Sequence, residues 1–209
     1  MTKNNDNKAE NKAVNVFEEI LKNKFSDVDI KESKSPKQLK SITEKTISYF
    51  REFAVNNNDI GFSTVVVLTE DGNLGLTPLN TEMLHSDVGE MMMKSLVRTV
   101  NKKENSPVHS ILELMFVRGL FKISDNKEEH EREVAKYSGL SAEELFNHPD
   151  VQDYMVANIY KSDKAETNMY DVILANDKNV KEGFVVSPKP VKSEKIKYNK
   201  DKMFINYFE

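Results

Sequence analysis

Residues 63–69 constrain the fold of this chain more than any other stretch. They read Ser-Thr-Val-Val-Val-Leu-Thr, so β-branched and apolar side chains occupy both alternating faces. A strand of this kind is covered on two sides, whereas a strand with one face in water alternates between apolar and polar residues. The sequence therefore predicts a central strand in a sheet that is covered on each face.

A tight turn and a return strand follow this central strand. The turn reads Glu-Asp-Gly-Asn over residues 70–73, and Asp-Gly is the pair that supplies the positive φ of a hairpin turn. Residues 74–79 are predicted as the partner strand. Pro78 cannot donate a ladder hydrogen bond, so this strand ends there or lies at an edge.

A helix and a third apolar segment come next. Ser86 and Asp87 precede Glu90 in the manner of a capping box. Apolar residues then recur at helical spacing, and we expect them to face the sheet: Val88, Met91, Met92, Leu96 and Val100. Residues 108–117 fit either a helix or a strand, and we favour the strand because a two-stranded hairpin alone is marginal. The predicted core includes Val65, Val67, Leu68, Leu112 and Leu114.

The order of these elements resembles a loose group of uncharacterised phage and bacterial α/β proteins. The resemblance covers residues 61–117: a Val-rich strand, a Glu-Asp-Gly turn, a short strand ending in Pro-Leu, an amphipathic helix and a His-Ser-Ile-Leu-Glu-Leu strand. A fainter likeness extends over residues 170–187. The resemblance implies a fold and a phage-like origin, but no activity and no functional residue. The chain lacks the tryptophan that the group carries in its third strand.

Composition limits the remaining possibilities. With 209 residues the chain can form one domain with appendages and bury a sizeable core. It has no cysteine, which excludes disulfides and thiolate metal sites. No stretch approaches the length of an apolar membrane span, so we expect a cytoplasmic protein that does not enter membranes. The net charge is −4, and acidic side chains outnumber basic ones over residues 125–182. We therefore do not expect the protein to have a basic face that binds the phosphates of nucleic acid.

The predicted domain organisation has three parts. Residues 1–12 are almost without apolar side chains and are expected to form a disordered tail. Residues 13–187 are expected to form a single α+β domain with a small mixed or antiparallel sheet, in which the hairpin, helix and strand are joined by C-terminal strands and covered by helices. Residues 188–209 are expected to form a Lys-rich arm with an apolar tip.

Two helices are predicted before the central strand. The first carries Val14, Phe17, Leu21 and Phe25 at helical spacing. The second begins at Ser35-Pro36, presents a stripe that runs from Leu39 to Phe53, and ends at the asparagines of residues 56–58.

A helical insert is predicted at about residues 125–161. Asp125, Ser141 and Pro149 are its three expected helix starts, and the third helix is expected to run through Tyr160. Residues 168–175 and 183–187 are then predicted as a closing pair of strands.

The apolar tip allows two interpretations. It contains Met203, Phe204, Ile205, Tyr207 and Phe208. Either the tip docks on the protein's own sheet as a terminal strand, which we favour, or it is offered to a partner protein as a strand or hook. These five residues are the candidate partner-binding residues.

Residues 132–146 have the spacing of a helix-turn-helix around Gly139. However, Arg, Lys, Asn or Gln are needed at base edges, and the second helix would present the glutamates Glu143 and Glu144 beside Asn147. Pro149 also cuts this helix short, and the segment around it is acidic. We therefore favour a structural helix pair.

Four histidines have carboxylates close in sequence: His85 with Asp87, His109 with Glu113, His130 with Glu133, and His148 with Asp150. One such pair does not make a metal site, and no multi-ligand spacing occurs. No phosphate loop or nucleophile elbow is present either. No catalytic residue, metal ligand or cofactor is therefore assigned.

We predict a non-enzymatic accessory protein of the phage type that binds a protein partner or its own copies. The alternative is a helix-turn-helix nucleic-acid-binding regulator, and the third possibility is an enzyme or a metal-binding protein.

Overall fold

The structure, a computed structural model, describes residues 17, 19, 21, 33–77, 79, 81–103, 106–119, 132, 135–174, 183–198 and 205–209. Its helices are α1 (Pro36–Asn57), α2 (Thr81–Leu84), α3 (Asp87–Lys103) and α4 (Ala142–Phe146). Its strands are β1 (Thr64–Thr69), β2 (Leu74–Leu76), β3 (Val108–Gly119), β4 (Gln152–Tyr160), β5 (Lys164–Leu174), β6 (Phe184–Val186) and β7 (Lys192–Lys197).

The seven strands form one curled sheet, and this confirms the predicted α+β class. The strand order is β2-β1-β3-β4-β5-β6, with β7 also beside β5. Every described strand pair is antiparallel, so the antiparallel form of the prediction is correct and the mixed form is not. All six residues of β1 are buried, as expected for a strand covered on both faces.

Two apolar clusters cover the two faces of the sheet. On one face α1 packs against β1, β3 and β4, through residues such as Phe50, Val66 and Leu112. On the other face α2 and α3 pack against Val65 and Ile111. We call these the α1 face and the α3 face. The five predicted core residues, Val65, Val67, Leu68, Leu112 and Leu114, are all buried.

Helix α1 begins and ends where its sequence predicts. Ser35 and Gln38 form a capping box, and Pro36 occupies the first turn. Asn58 ends the helix in the left-handed conformation with φ 51°. Of the earlier predicted helix, Phe17 and Leu21 are helical and buried in the cluster of the α1 face, while Val14 and Phe25 lie outside the described residues.

The predicted hairpin is present, with Gly72 at φ 89° in its turn. Its second strand is shorter than expected, because β2 ends at Leu76. The ambiguous segment that begins at Val108 is a strand, and its register places Glu113 opposite Val65 of β1 and Asn158 of β4.

The prediction of a helix from Pro149 through Tyr160 is wrong, and so is the end of the helical insert at residue 161. Residues 152–160 form β4, which lies between β3 and β5. Strand β4 is covered on both of its faces, because every residue from Tyr154 to Tyr160 is buried. The near-continuous apolar sequence of β4 is therefore also compatible with a buried helix. The helix expected at Ser141 is α4, and most of residues 125–137 lie outside the described part.

The C-terminal arm is not separate from the domain. Residues 192–197, placed in the expected arm, form β7 and pair with residues 164–169 of β5. Strand β6 pairs with the other end of β5, at residues 172–174. Strands β6 and β7 are thus two halves of one edge strand, and residues 187–191 interrupt it with Pro188 and Pro190. The closing strand pair predicted at residues 168–175 and 183–187 is present as β5 and β6.

Candidate functional site

A fully buried carboxylate lies under the α3 face. Glu113 of β3 has no exposed surface and accepts three hydrogen bonds. The donors are His85 Nε2 at 2.7 Å, Asn158 Nδ2 at 2.9 Å and the Tyr160 hydroxyl at 2.8 Å. A buried carboxylate is tolerated only when its oxygens are satisfied in this way. The cluster therefore ties the turn after α2 to the centre of the sheet.

His85 connects this cluster to solvent. Its side chain is 47% exposed, and the hydrogen bond to Glu113 raises its pKa above the ordinary value, partly opposed by burial. Asp87, the carboxylate closest to His85 in the sequence pairs, is not the one that His85 binds. Neither His85 nor Glu113 lines the cavities beside α1, α3 and β2. The pair can hold a proton and orient α2, but it has no adjoining substrate cavity among these three.

The join between α2 and α3 is unusually close. A Cβ added at Gly89 would lie 1.7 Å from the carbonyl oxygen of Met83, so only glycine fits there. Ser86 secures the same join, because its hydroxyl donates to the Met83 carbonyl oxygen (2.7 Å) and accepts from the Gly89 amide (3.0 Å). The two helices are thereby held as one unit.

The C-terminal tip packs on this unit. Tyr207 is fully buried, its ring stacks edge-on against Tyr160 at 5.0 Å, and its hydroxyl donates to the Leu84 carbonyl oxygen at 3.3 Å. Arg98 of α3 donates to the main-chain oxygen of Glu209 at 2.9 Å. The described part of the tip, residues 205–208, is therefore docked on its own chain, as the favoured interpretation expects, but these residues do not form a strand.

The described residues of the docked tip leave little surface for a partner. Of the five candidate partner-binding residues, Tyr207 has none exposed, and Ile205 and Phe208 are partly buried in the same cluster. Met203 and Phe204 lie outside the described residues.

The outward side of the α2–α3 unit exposes an apolar surface. It consists of Met83 (43% exposed), Val88 (56%), Met91 (64%) and Met92 (44%), which we call the methionine face. The expectation that Val88, Met91 and Met92 pack on the sheet is wrong. Met93 and Val97 occupy the inward side instead, with Leu96 and Val100 partly buried beside them. The run of three methionines could have indicated this, since consecutive helical residues cannot all point inward.

A basic row lies beside the methionine face. Lys94, Arg98 and Lys102 follow one another at intervals of four residues along α3. Together with Met91 and Glu90 they line a shallow groove of about 620 Å³. Lys94 is paired with Glu90 at 2.9 Å, and Lys102 is exposed.

The helix-turn-helix candidate forms a short structural unit. Helix α4 has five residues, is capped by Ser141 and Glu144, and ends at Asn147. Glu143 and Glu144 are exposed, as the sequence predicts. Tyr137 donates to Asp150 at 2.8 Å and stacks edge-on against His148, which joins the ends of this segment. A five-residue helix with two outward glutamates offers little to base edges.

The other described histidines, His109 and His148, do not assemble a centre with these groups. His109 is half-buried, and burial is the main cause that lowers its pKa. His148 lies 3.8 Å from Asp150, and His130 is outside the described residues. No group of three or more His, Asp or Glu residues in the described part is arranged to hold a metal ion.

Comparison with protein-family models, with curated proteins and with solved structures found no match to this chain. None of the described helices combines the length and the apolar character needed to cross a membrane.

Proposed function

We propose that this chain is a non-enzymatic accessory protein of the phage type that binds another protein through the methionine face. The observation that carries the proposal is the exposure of four neighbouring apolar side chains on a helix unit that is already anchored to its own sheet. Contiguous exposed apolar surface of this kind marks interaction sites, whereas single exposed apolar residues do not.

The chemistry of the surface favours an amphipathic helix as the partner segment. Methionine side chains are flexible and polarisable, so they adapt to the apolar stripe of a helix laid across them. The basic row at Lys94, Arg98 and Lys102 adds charge complementarity. We therefore propose a partner helix with an apolar stripe and acidic residues along one flank.

The phage-type origin is supported by the resemblance over residues 61–117. The protein-binding role does not depend on that origin.

The test compares two variants in a selection from a library of helical peptides. Val88→Asp places a charge in the methionine face, and Asp is compatible with the first turn of a helix. The matched control is Val191→Asp, because Val191 has nearly the same exposure (54% against 56%) and lies outside the α2–α3 unit. We expect the wild type to enrich acidic amphipathic peptides, and Val88→Asp to weaken their binding at least about tenfold, or about 1.4 kcal/mol. Val191→Asp should bind as the wild type does.

Two outcomes would contradict the proposal. The first is equal weakening by both variants, which would point to a non-specific effect of charge. The second is a wild-type dimer in analytical ultracentrifugation that Val88→Asp dissociates, since the occupant of the methionine face would then be a second copy of the chain.

A further inference from the structure

A polar cleft on the α1 face has no role in the proposed protein binding. It lies between α1 and the part of the sheet formed by β4, β5 and β7, and its volume is about 600 Å³. Cavities of roughly 300–1,000 Å³ are typical of small-molecule sites. The cleft is at the opposite face of the sheet from the methionine face, so the two surfaces can be tested independently.

Tyr170 and Asn168 of β5 lie in the wall of this cleft and are both 7% exposed. Within the described part of the chain, the Tyr170 hydroxyl makes no hydrogen bond. Asn168 accepts from Ser193 at 2.6 Å, but its amide nitrogen has only a long contact of 3.4 Å to Glu166. The Tyr170 hydroxyl is not enclosed by the protein, so it is open to the cleft and can bond to a ligand there. These groups are therefore suited to a polar ligand.

The cleft carries more positive than negative charge, although the whole chain is acidic. Its cationic lining residues are Lys40, Arg51, Lys161, Lys164 and Lys195, against two carboxylates at Glu44 and Glu166.

Arg51 is held in place from two sides. Its guanidinium donates to the Ser187 carbonyl oxygen at 3.3 Å and to the Ser48 hydroxyl at 2.9 Å. An oriented guanidinium among lysines is an arrangement that receives phosphoryl oxygens.

We propose that this cleft binds a small phosphorylated molecule, with Arg51 and the lysines at the phosphoryl group and Tyr170 and Asn168 at its hydroxyl or amide groups. The hydroxyl donates a hydrogen bond at neutral pH, since burial raises the pKa of Tyr170 further above its ordinary value. The proposal assigns binding only and includes no reaction.

The test is calorimetric titration with two probes, ATP and inorganic pyrophosphate, at physiological salt. We expect saturable binding of at least one probe. Binding of ATP but not of pyrophosphate would identify a site that needs the organic part of the ligand. Equal binding of ATP and pyrophosphate would identify a site for the phosphoryl groups. Lys195→Glu should weaken the binding at least about tenfold. Lys197→Glu is the matched control, because Lys197 lies on the same strand but does not line the cleft.

Tyr170→Phe should weaken ATP binding about threefold or more while leaving thermal unfolding close to that of the wild type, because only a hydroxyl is removed. Absence of saturation at millimolar concentrations of both probes would overturn the proposal. Equal losses in Lys195→Glu and Lys197→Glu would also overturn it, since they would show general electrostatic attraction. Val88→Asp should bind the probes as the wild type does, which separates this test from that of the methionine face.

Discussion

At the scale of single residues, the pairing of His85 with Glu113 makes the stability of the α3 face depend on protonation. The hydrogen bond raises the pKa of His85 in the folded chain. A histidine of this kind contributes stability that is fully present below its unfolded pKa of about 6.5 and is lost as the pH rises through the folded value. The pKa shift of His109 has the opposite sign, because burial lowers its pKa. Folding therefore disfavours the protonated form of His109.

We predict that the stability difference between the wild type and His85→Gln decreases as the pH rises from about 5.5 to 9. The comparison cancels the contribution of His109, which both proteins retain. Urea unfolding at a series of pH values measures the difference directly. A difference that stays constant over this range would show that the raised pKa of His85 does not contribute to folding.

The sequence placed Glu113 in a strand, but the histidine nearest to it in sequence is not its partner. Four-residue spacing would place His109 and Glu113 on the same side of a regular strand. Four residues of strand span about 13 Å, however, so the two side chains are too far apart to bond. The actual partner, His85, comes from the end of α2. Contacts between distant segments depend on the packing of whole elements, which local spacing does not report.

At the scale of elements, the α2–α3 unit depends on one glycine. We predict that Gly89→Ala destabilises the protein by about 1–3 kcal/mol, the usual cost of forcing an extra methyl group into a packed site. The control is Gly75→Ala in β2, where an added Cβ meets nothing within 4 Å, and it should be close to neutral. Chemical denaturation gives both values. Equal stability of the two variants would mean that the helices can separate without loss.

Elements were predictable where their ends are encoded locally. Ser35-Pro36 and Asn58 define α1, and Asp71-Gly72 defines the hairpin turn. Strand β4 has no such signal, because Pro149 lies just before it and its apolar run fits a helix as well as a buried strand. Only the position of this segment between β3 and β5 shows that it is a strand and not a helix.

At the scale of the whole molecule, the two ends of the described chain complete opposite faces of one sheet. Phe17 joins the cluster of the α1 face, and Tyr207 joins that of the α3 face. The sequence predicted the α+β class because the two-sided apolar pattern of β1 requires two covering layers. It could not indicate that β7 would enter the sheet, since the lysine-rich sequence of this strand resembles a solvated linker.

We predict that Tyr207→Ala destabilises the protein by about 3–5 kcal/mol, which is typical when a large aromatic side chain is removed from a core. Tyr207→Phe should cost only about 0.5–1.5 kcal/mol, because it keeps the ring against Tyr160 and loses one hydrogen bond. Thermal and urea unfolding check both values. If Tyr207→Ala is as stable as Tyr207→Phe, the ring does not contribute to the core.

The interruption between β6 and β7 also affects how molecules meet at high concentration. Sheets polymerise when the edge of one molecule hydrogen-bonds to the edge of another along a continuous row of amides. Pro188 and Pro190 lack an amide hydrogen and divide this edge into strands of three and six residues. At the opposite edge β2 has only three residues. Neither edge offers a long template, so crowded copies of this chain should resist fibre formation even while its methionine face remains exposed.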